Sequence, residues 1–347
     1  MLAADTKLDA GTEAVPRATS VNGLAWREIA EPVSPFLADV RRFLEAQLGT
    51  FEPEVAEGAK YALSASGKQL RPVLVALAAE VAGGINEDHV QGAAIVELVH
   101  LATLVHDDVI DVAGLRRKRP TVAARFGNRT AVLLGDCLFA HSLKLAAGFP
   151  TTDVCRAVSD ATKAVCSGEI LQTLRVGRLD QPLDEYFRVI RLKTAELFAL
   201  ACELGAILTS SQPATRVALR RFGLAFGTAY QVFDDCLDVF GSEEAAGKTL
   251  GTDLANGKVT LPLLLAHQSA SAADRASLEG FLAHHTNGHT QNVRALLERY
   301  SAAIRSREVV ESLLENARES LRPLQETAPL LTLTRFLGNQ VTRLYSA

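Results

Sequence analysis

Three long stretches without proline constrain the fold of this chain more than any other feature of its sequence. They cover residues 73–119, 214–261 and 263–322, and they are rich in alanine, leucine, glutamate and arginine. These residue types favour helices, whereas an internal proline would break one. Apolar residues within 94–105 recur at the i, i+3, i+4 and i+7 spacing of a helix face, and no segment shows the alternation of a strand. The sequence therefore predicts an all-α protein built as a helical bundle.

The helical pattern continues without a linker that would separate two domains. A length of 347 residues alone allows two domains, but we expect a single all-helical domain over residues 34–347. Residues 1–33 are expected to be a weakly ordered N-terminal extension, which ends at a proline-rich stretch around Pro32. The extension has no apolar core of the kind that a secretory signal needs. The polar segment 267–295 is expected to be a surface loop.

The charge balance and the apolar runs exclude several classes of function. Lysine and arginine number 36 against 40 aspartate and glutamate residues, which gives a net charge of −4 without a long basic block. Nucleic acid is therefore not an expected partner. No apolar run approaches the roughly 18–20 residues of a membrane-spanning helix, so no span is expected. Five cysteines without a CxxC pair indicate reduced thiols and a cytoplasmic protein.

Two acidic clusters interrupt otherwise apolar helices and share the spacing DDxxD. They comprise Asp107, Asp108 and Asp111 in the first cluster and Asp234, Asp235 and Asp238 in the second. On a helix the first and last aspartates of such a cluster lie about 40° apart, so their carboxylates converge. On a solvent-exposed helix face, basic residues usually stand four residues from the acidic ones. Neither cluster has a basic residue at that spacing. The clusters therefore indicate Mg²⁺ sites, since this ion prefers oxygen ligands that it shares with phosphate.

Basic residues stand near both clusters, as anionic substrates would require. The candidates are Lys68, Arg71, Arg116, Arg117, Lys193, Lys248 and Lys258. The first two open a helix, whose N-terminal amides also favour an anion. His100 lies two turns before the first cluster on the same helix face. Two groups of cations beside two acidic clusters suggest two anionic substrates.

The ordered set of motifs resembles the trans-isoprenyl diphosphate synthases, also called polyprenyl synthetases. The resemblance covers about residues 35–345. Besides both aspartate clusters, it rests on the segments Gly67–Pro72, Gly127–Asn128, Gly135–Asp136, Gly168–Glu169, Lys193–Ala195 and Gly257–Pro262. It implies an isoprenoid-synthase-type all-α bundle around a central active-site cavity, usually within a homodimer.

The resemblance also implies roles for individual residues. The six aspartates would hold three Mg²⁺ ions, for which Mn²⁺ can substitute. The isopentenyl diphosphate site would comprise Lys68, Arg71, His100 and Arg117. The allylic diphosphate site would comprise Arg116, Lys193, Thr194, Gln231, Lys248 and Lys258. Among these, Lys193, Thr194 and Gln231 would act directly in catalysis.

The reaction that the resemblance implies is a head-to-tail condensation. Metal ions and basic side chains would stabilise the departing pyrophosphate, so that the allylic C–O bond ionises. The resulting cation, steadied by the oxygens of Thr194 and Gln231, would alkylate isopentenyl diphosphate. The released pyrophosphate would then take up the proton.

The resemblance extends to product length. Ala102 and Thr103 are small, whereas members of the family that make short products usually carry phenylalanine or tyrosine at these positions. The first cluster also lacks the two-residue insertion that is common in bacterial short-chain members. Because no bulky side chain would block the tunnel, we expect a long all-trans product of about 30–50 carbons, suited to a quinone side chain. The tunnel floor would then lie deeper, near Phe139 or Leu143, and such a product would give at most peripheral membrane contact.

Three alternatives remain open. The chain can be a short-chain synthase with products of about 15–20 carbons, a class I terpene cyclase, or the regulatory subunit of a heteromeric prenyltransferase. A cyclase usually has a different second metal motif and needs no second diphosphate site, and regulatory subunits usually have damaged aspartate motifs. The departures from the family pattern are Lys118, Ala123 and Thr249, which put loop shape in doubt but touch no metal ligand.

Overall fold

The computed structural model describes residues 21–64, 67–243, 250–283 and 290–345, and these residues are largely helical. The helices are α1 (Val21–Ala30), α2 (Ser34–Leu48), α3 (Pro53–Leu63), α4 (Leu70–Ala82), α5 (Glu87–Ile110), α6 (Val122–Phe126), α7 (Asn128–Ala147), α8 (Thr152–Thr173), α9 (Leu183–Ile190), α10 (Glu196–Ile207), α11 (Pro213–Phe240), α12 (Thr252–Ala255), α13 (Leu261–Ser269), α14 (Ala272–Ala283), α15 (Thr290–Arg299), α16 (Ala302–Leu321) and α17 (Ala328–Leu344). A five-residue π-helical turn, Arg191–Ala195, joins α9 to α10. The predicted all-α class is confirmed.

One short hairpin is an addition to the predicted architecture. Residues Leu115–Arg116 (β1) and Arg119–Pro120 (β2) pair as antiparallel strands between α5 and α6. Two residues per strand are too few to produce a detectable alternation in the sequence. The hairpin carries the basic run that follows the first acidic cluster.

The central layer of the bundle is formed by α4, α5, α10 and α11. Every residue of α10 from Leu197 to Ala206 is buried, and this helix packs against both α4 and α11. Gly223 of α11 permits the close approach, because a Cβ at this position would lie only 2.7 Å from the Cα of Ala199. In turn α5 packs against α7, and α11 packs against α16. The helices that carry the acidic clusters are therefore held on both sides.

The end of the predicted N-terminal extension differs from the expectation of weak order. Residues 1–20 lie outside the described residues, but Val21–Ala30 forms α1. The ring of Trp26 lies 5.8 Å from that of Phe336 on α17, and Ile29 and Val33 are buried. Because these apolar side chains recur at helical spacing, they attach residues 26–33 to the bundle.

The prediction of a surface loop over 267–295 is wrong for most of that segment. It contains α14 and the start of α15, while residues 284–289 lie outside the described residues. Leu278, Leu282 and Val293 are buried in a small second core, which also includes residues of α13. The segment shows little apolar periodicity, because helices that pack on a small core need few apolar positions.

One helix of the described residues, α7, is long and apolar enough to cross a membrane by length and composition. The sequence did not single it out, because charged residues such as Arg129, Asp136 and Lys144 divide its apolar residues. Of the 18 most apolar consecutive residues of α7, 39% are buried. Gly135 lies directly against the ring of His106 on α5, so that α7 forms part of the bundle wall.

Candidate active site

One large cavity, with a volume of about 2790 Å³, opens between the central helices. Nine of the predicted diphosphate-binding residues line it, namely Lys68, Arg71, His100, Arg116, Arg117, Lys193, Thr194, Gln231 and Lys258. Five predicted metal-binding aspartates line the same cavity, namely Asp107, Asp108, Asp111, Asp234 and Asp235. The structure thus brings together residues from distant parts of the chain. Lys248 and Thr249 lie outside the described residues.

Two carboxylates of the first acidic cluster form short ion pairs. The cluster lies at the C-terminal end of α5, where the helix dipole disfavours negative charge, so it needs nearby cations. The Arg116 guanidinium lies 2.8 Å from Asp108 Oδ1, and Lys258 Nζ lies 2.8 Å from Asp111 Oδ2. Although burial opposes protonation, the contact with Asp111 raises the pKa of Lys258. These cations therefore hold one end of the cavity in place electrostatically.

Asp107 differs from its two neighbours, because no cation of the described residues lies within hydrogen-bond distance of it. Its Oδ2 atom is 3.9 Å from Lys193 Nζ. Burial raises the pKa of Asp107 to about 6, against the opposing charge of Lys193 and with a further contribution from Glu169. A buried carboxylate of this kind gains most from a cation that enters the cavity.

Asp235 of the second cluster is held by two hydrogen bonds. The Tyr186 hydroxyl donates to its Oδ2 atom at 2.6 Å, and Gln231 Nε2 donates to its Oδ1 atom at 2.7 Å. Burial raises the pKa of Asp235 to about 8, with Asp253 adding to the increase. Sequence reasoning missed Tyr186, which lies 49 residues earlier in the chain and has no motif around it.

Asp238 is the predicted metal ligand that the structure does not bring to the cavity. Its side chain is buried against the start of α12. Its Oδ2 atom accepts a 3.1 Å hydrogen bond from the backbone amide of Asp253, and its Oδ1 atom lies 3.3 Å from the Thr252 hydroxyl. In this structure Asp238 therefore stabilises the first turn of α12.

The π-helical turn between α9 and α10 presents two of the predicted catalytic side chains. The Thr194 hydroxyl donates a 2.8 Å hydrogen bond to Gln231 Oε1, which connects this turn to the second acidic cluster. The neighbouring Lys193 lies against Gly168 of α8, and a Cβ on Gly168 would come within 2.8 Å of the Lys193 Cα. A π-turn of this kind is often found at functional sites, because it redirects side chains within a helix.

The predicted site for the second diphosphate is rich in cations. Arg71 Nε is buried and has no hydrogen-bond partner among the described residues, and its guanidinium lies 4.9 Å from the centre of the Phe198 ring. Burial lowers the pKa of His100 well below its usual range, and the charges of Arg71, Arg116 and Arg117 lower it further. An anion would be attracted by this group of positive charges.

Lys118, one departure from the family pattern, lies in the turn of the hairpin. Arg117 and Lys118 connect the two strands with positive φ angles of 51° and 62°. Such a turn favours glycine, because a Cβ is disfavoured in the left-handed region. Lys118 therefore occupies a strained position, and its side chain lines the cavity next to Arg117. Ala123, the second departure, lies in α6 and is partly buried.

The two predicted chain-length residues face different surroundings. Thr103 lines the cavity, as do Leu104 and Phe139, whereas Ala102 has no exposed surface and belongs to the main core. Phe139 packs against the ring of His106 at 5.6 Å. The structure therefore places Thr103, and not Ala102, on the wall of the cavity.

Comparisons with known proteins identify the family of the chain. Residues 52–300 match the polyprenyl synthetase family. The chain is 36% identical over 319 residues to an all-trans-nonaprenyl-diphosphate synthase (geranyl-diphosphate specific) of Rhodobacter capsulatus, covering 91% of this chain and 98% of that protein. It is 43% identical over 234 residues to heptaprenyl diphosphate synthase component 2 of Geobacillus stearothermophilus, covering 67% and 73% of the two chains.

A solved structure shares the whole fold. The polyprenyl synthase from Caulobacter crescentus, complexed with calcium and isoprenyl diphosphate, superposes with a TM-score of 0.84 at 31% identity. The match covers 93% of this chain and 99% of that one. Members of this family use divalent metal ions. Because the family match spans most of the chain and includes both acidic clusters and the second cationic site, the chain belongs to the polyprenyl synthetase family, whose members are trans-prenyltransferases.

Proposed function

We propose that this enzyme condenses isopentenyl diphosphate head-to-tail with an allylic diphosphate and makes a long all-trans polyprenyl diphosphate. The observation that carries this proposal is the shared cavity. Five aspartates of the two clusters line it together with a separate group of cations around Arg71. A cyclase, which uses one diphosphate, has no need for that second group.

The carboxylates that line the cavity fit a divalent metal ion of the Mg²⁺ class. All their donor atoms are oxygen, which is the donor that Mg²⁺ prefers. Within the described residues no group of three or more acidic, histidine or cysteine side chains is already gathered as for one ion. A small number of protein ligands suits an ion that takes the rest of its coordination shell from water and diphosphate. We expect three Mg²⁺ ions per site, replaceable by Mn²⁺, with the five aspartates that line the cavity as their protein ligands.

When bound, the metal ions supply positive charge to the pyrophosphate that leaves the allylic substrate. Lys193, Arg116 and Lys258 bind the same group, so that the C–O bond breaks with its electron pair on the departing oxygen. The Thr194 hydroxyl and the Gln231 amide are the polar groups that face the allylic carbon. Their 2.8 Å hydrogen bond fixes the direction of both oxygens.

The second substrate is held at the other cationic group. Lys68, Arg71, His100 and Arg117 bind the diphosphate of isopentenyl diphosphate, and this orients its double bond toward the allylic carbon. A new C–C bond forms from the electrons of that double bond, and the proton lost from the neighbouring carbon passes to the released pyrophosphate. The product is again an allylic diphosphate and can enter another cycle.

The long product follows from the open wall beside Thr103 and from the relatives. The nonaprenyl and heptaprenyl synthases named above carry long products in their names. We expect about 30–50 carbons, which is the size of a quinone side chain, because no bulky side chain at Thr103 closes the tunnel. We also propose that the enzyme is a cytoplasmic homodimer with at most peripheral membrane contact. Leu133, on the exposed side of α7, is available for such a dimer contact.

The test is chromatographic sizing of the products that the purified chain makes from isopentenyl diphosphate with geranyl, farnesyl or geranylgeranyl diphosphate. A ladder that ends in one long polyprenyl diphosphate would support the proposal. Products of about 15–20 carbons would identify a short-chain synthase, and diphosphate-free cyclic hydrocarbons would identify a cyclase. Because one relative is named "component 2", the assay must first be run with this chain alone. Activity only after addition of a second protein would identify a heteromeric enzyme.

A further inference from the structure

Glu169 on α8 is a charged residue of the cavity to which the mechanism above gives no role. Its side chain is 16% exposed, and its Oε2 atom lies 2.5 Å from Lys193 Nζ. One turn further along α8, Gln172 Oε1 accepts a 2.8 Å hydrogen bond from the same ammonium group. Glu169 and Gln172 are three residues apart and thus lie on one face of the helix. Lys193 is therefore held from one side by two acceptors.

The backbone of α8 contributes to the same contact. Gly168 lies directly against Lys193 in the π-helical turn, where any larger residue would collide with the Lys193 backbone. The turn itself redirects the Lys193 side chain relative to a regular α-helix. Both the position of the Lys193 backbone and the direction of its ammonium group are consequently determined by α8.

This arrangement keeps Lys193 from a direct ion pair with Asp107 of the first acidic cluster. Asp108 and Asp111 each have a cation at 2.8 Å, whereas Asp107 remains 3.9 Å from Lys193. Lys193 is long enough and close enough to make the same direct pair with Asp107. Its ammonium group instead lies nearer to Glu169 by more than an ångström.

We propose that Glu169 is a positioning residue that holds Lys193 away from Asp107, so that Asp107 stays available to a divalent metal ion and Lys193 stays available to the allylic diphosphate. This inference rests on the proposed function for the identity of the ligands. Removal of the Glu169 charge would let Lys193 move onto Asp107, and the new ion pair would compete with the metal ion. Replacement of a residue that supports a metal ligand in this way is expected to lower metal affinity by about 10–100-fold.

The test measures binding and does not depend on turnover. The probe is Mn²⁺ in the presence of inorganic pyrophosphate, and the free ion is followed by electron paramagnetic resonance. We expect Glu169→Gln to weaken Mn²⁺ binding by about tenfold or more. Glu311→Gln is the matched control, since Glu311 pairs with Arg307 on the exposed side of α16, and we expect no change there.

Two further variants separate positioning from other effects. In a Lys193→Met background, Glu169→Gln should cause no additional loss, because no ammonium group remains to be held. The variant Glu169→Gln with Gln172→Glu moves the carboxylate to the other acceptor of Lys193 and should restore most of the binding. An equal loss in the Lys193→Met background would show that Glu169 acts through its own charge, and unchanged binding in Glu169→Gln would show that it has no role. Either result would overturn the proposal.

A kinetic comparison links the result to the reaction. Glu169→Gln should raise the Mg²⁺ concentration needed for half-maximal activity and the KM for the allylic substrate, with little effect on the KM for isopentenyl diphosphate. If the wild-type chain made no polyprenyl product, the proposed function would fail, whereas the Mn²⁺–pyrophosphate measurements would still decide the role of Glu169.

Discussion

Lys258 Nζ lies 2.8 Å from Asp111 Oδ2, although 147 residues separate the two in the chain. The contact joins the C-terminal end of α5 to the segment that follows α12. Both side chains are mostly buried, so the pair is shielded from solvent and more effective than a surface ion pair. It keeps the segment after α12 beside the first acidic cluster, at the cavity that the second cluster also lines.

Replacement of Lys258 by alanine is expected to impair use of the allylic substrate more than stability. The change removes a cation that we propose binds the allylic diphosphate, and it leaves Asp111 without the ion pair to Lys258. We expect kcat/KM for the allylic substrate to fall by at least about tenfold, which corresponds to one charge-assisted hydrogen bond. Steady-state kinetics with both substrates measure this, with Arg307→Ala on α16 as a surface control. A loss confined to isopentenyl diphosphate would contradict the assignment of Lys258.

Both acidic clusters are expected to be required for turnover. Asp107→Ala and Asp234→Ala each remove a carboxylate that faces the cavity, where the metal–pyrophosphate complex must be bound. We expect turnover to fall by at least about 100-fold in either variant, a loss of a few kcal/mol of transition-state stabilisation. Activity should also disappear in EDTA and return with Mg²⁺ or Mn²⁺. Turnover near that of the wild type in either variant, or in EDTA, would disprove the metal assignment.

The sequence predicted the parts of the site that local spacing encodes. The DDxxD repeats, Lys193-Thr194 and the basic run near Arg116 could be recognised because their residues are close in the chain. Contacts between distant residues could not be recognised in this way. Tyr186 of α9 holds Asp235 of α11, and Asp238 points into a neighbouring turn, because tertiary packing and not spacing decides where a side chain points.

The fold shows the same division. The long helices around the core were predictable from their apolar faces, whereas α1 and α14 were not. Both make limited contact with the rest of the chain through a few apolar side chains, such as Trp26 and Leu278. A short amphipathic helix of this kind carries too few apolar positions for its period to be distinguished from that of a polar segment.

His100 is expected to make the folded protein less stable at acid pH. Burial, together with Arg71, Arg116 and Arg117, lowers the pKa of His100 below its unfolded value of about 6.5. The neighbouring carboxylate of Glu97 is buried in the same region, and burial raises its own pKa. Below pH 6.5 the unfolded chain binds a proton at His100 that the folded chain does not bind. Stability therefore falls as the pH decreases from about 7 to 5.

The variant His100→Gln isolates that contribution, because glutamine keeps polar atoms at this position without a titratable group. Urea unfolding at pH 7 and pH 5 gives the change in the free energy of unfolding for both proteins. We expect a smaller loss between the two pH values in His100→Gln than in the wild type. A loss of equal size in both would mean that His100 binds protons equally in the folded and unfolded chains.

Lys118→Gly is expected to stabilise the hairpin turn and weaken substrate binding. Lys118 has a φ of 62°, and glycine adopts this conformation without the steric cost that a Cβ brings. We expect the free energy of unfolding to increase by about 0.5–1 kcal/mol, since the loss of strain exceeds the extra freedom of glycine in the unfolded chain. Loss of the cation should raise the KM for isopentenyl diphosphate. Thermal unfolding and steady-state kinetics test the two effects separately, and a less stable variant would contradict the strain argument.

Substitutions at Ala102 and Thr103 should have different effects on the protein, although the two residues are adjacent. Thr103 lines the cavity, so a phenylalanine there would enter the path of the growing chain, and we expect Thr103→Phe to shorten the main product. Ala102 is fully buried in the core, so Ala102→Phe should instead destabilise the fold by about 1–3 kcal/mol through overpacking. Reverse-phase analysis of products and thermal unfolding of both variants distinguish these outcomes. If the wild type itself stopped at fifteen or twenty carbons, or if Thr103→Phe left the product length unchanged, the open wall beside Thr103 would not set the length of the product.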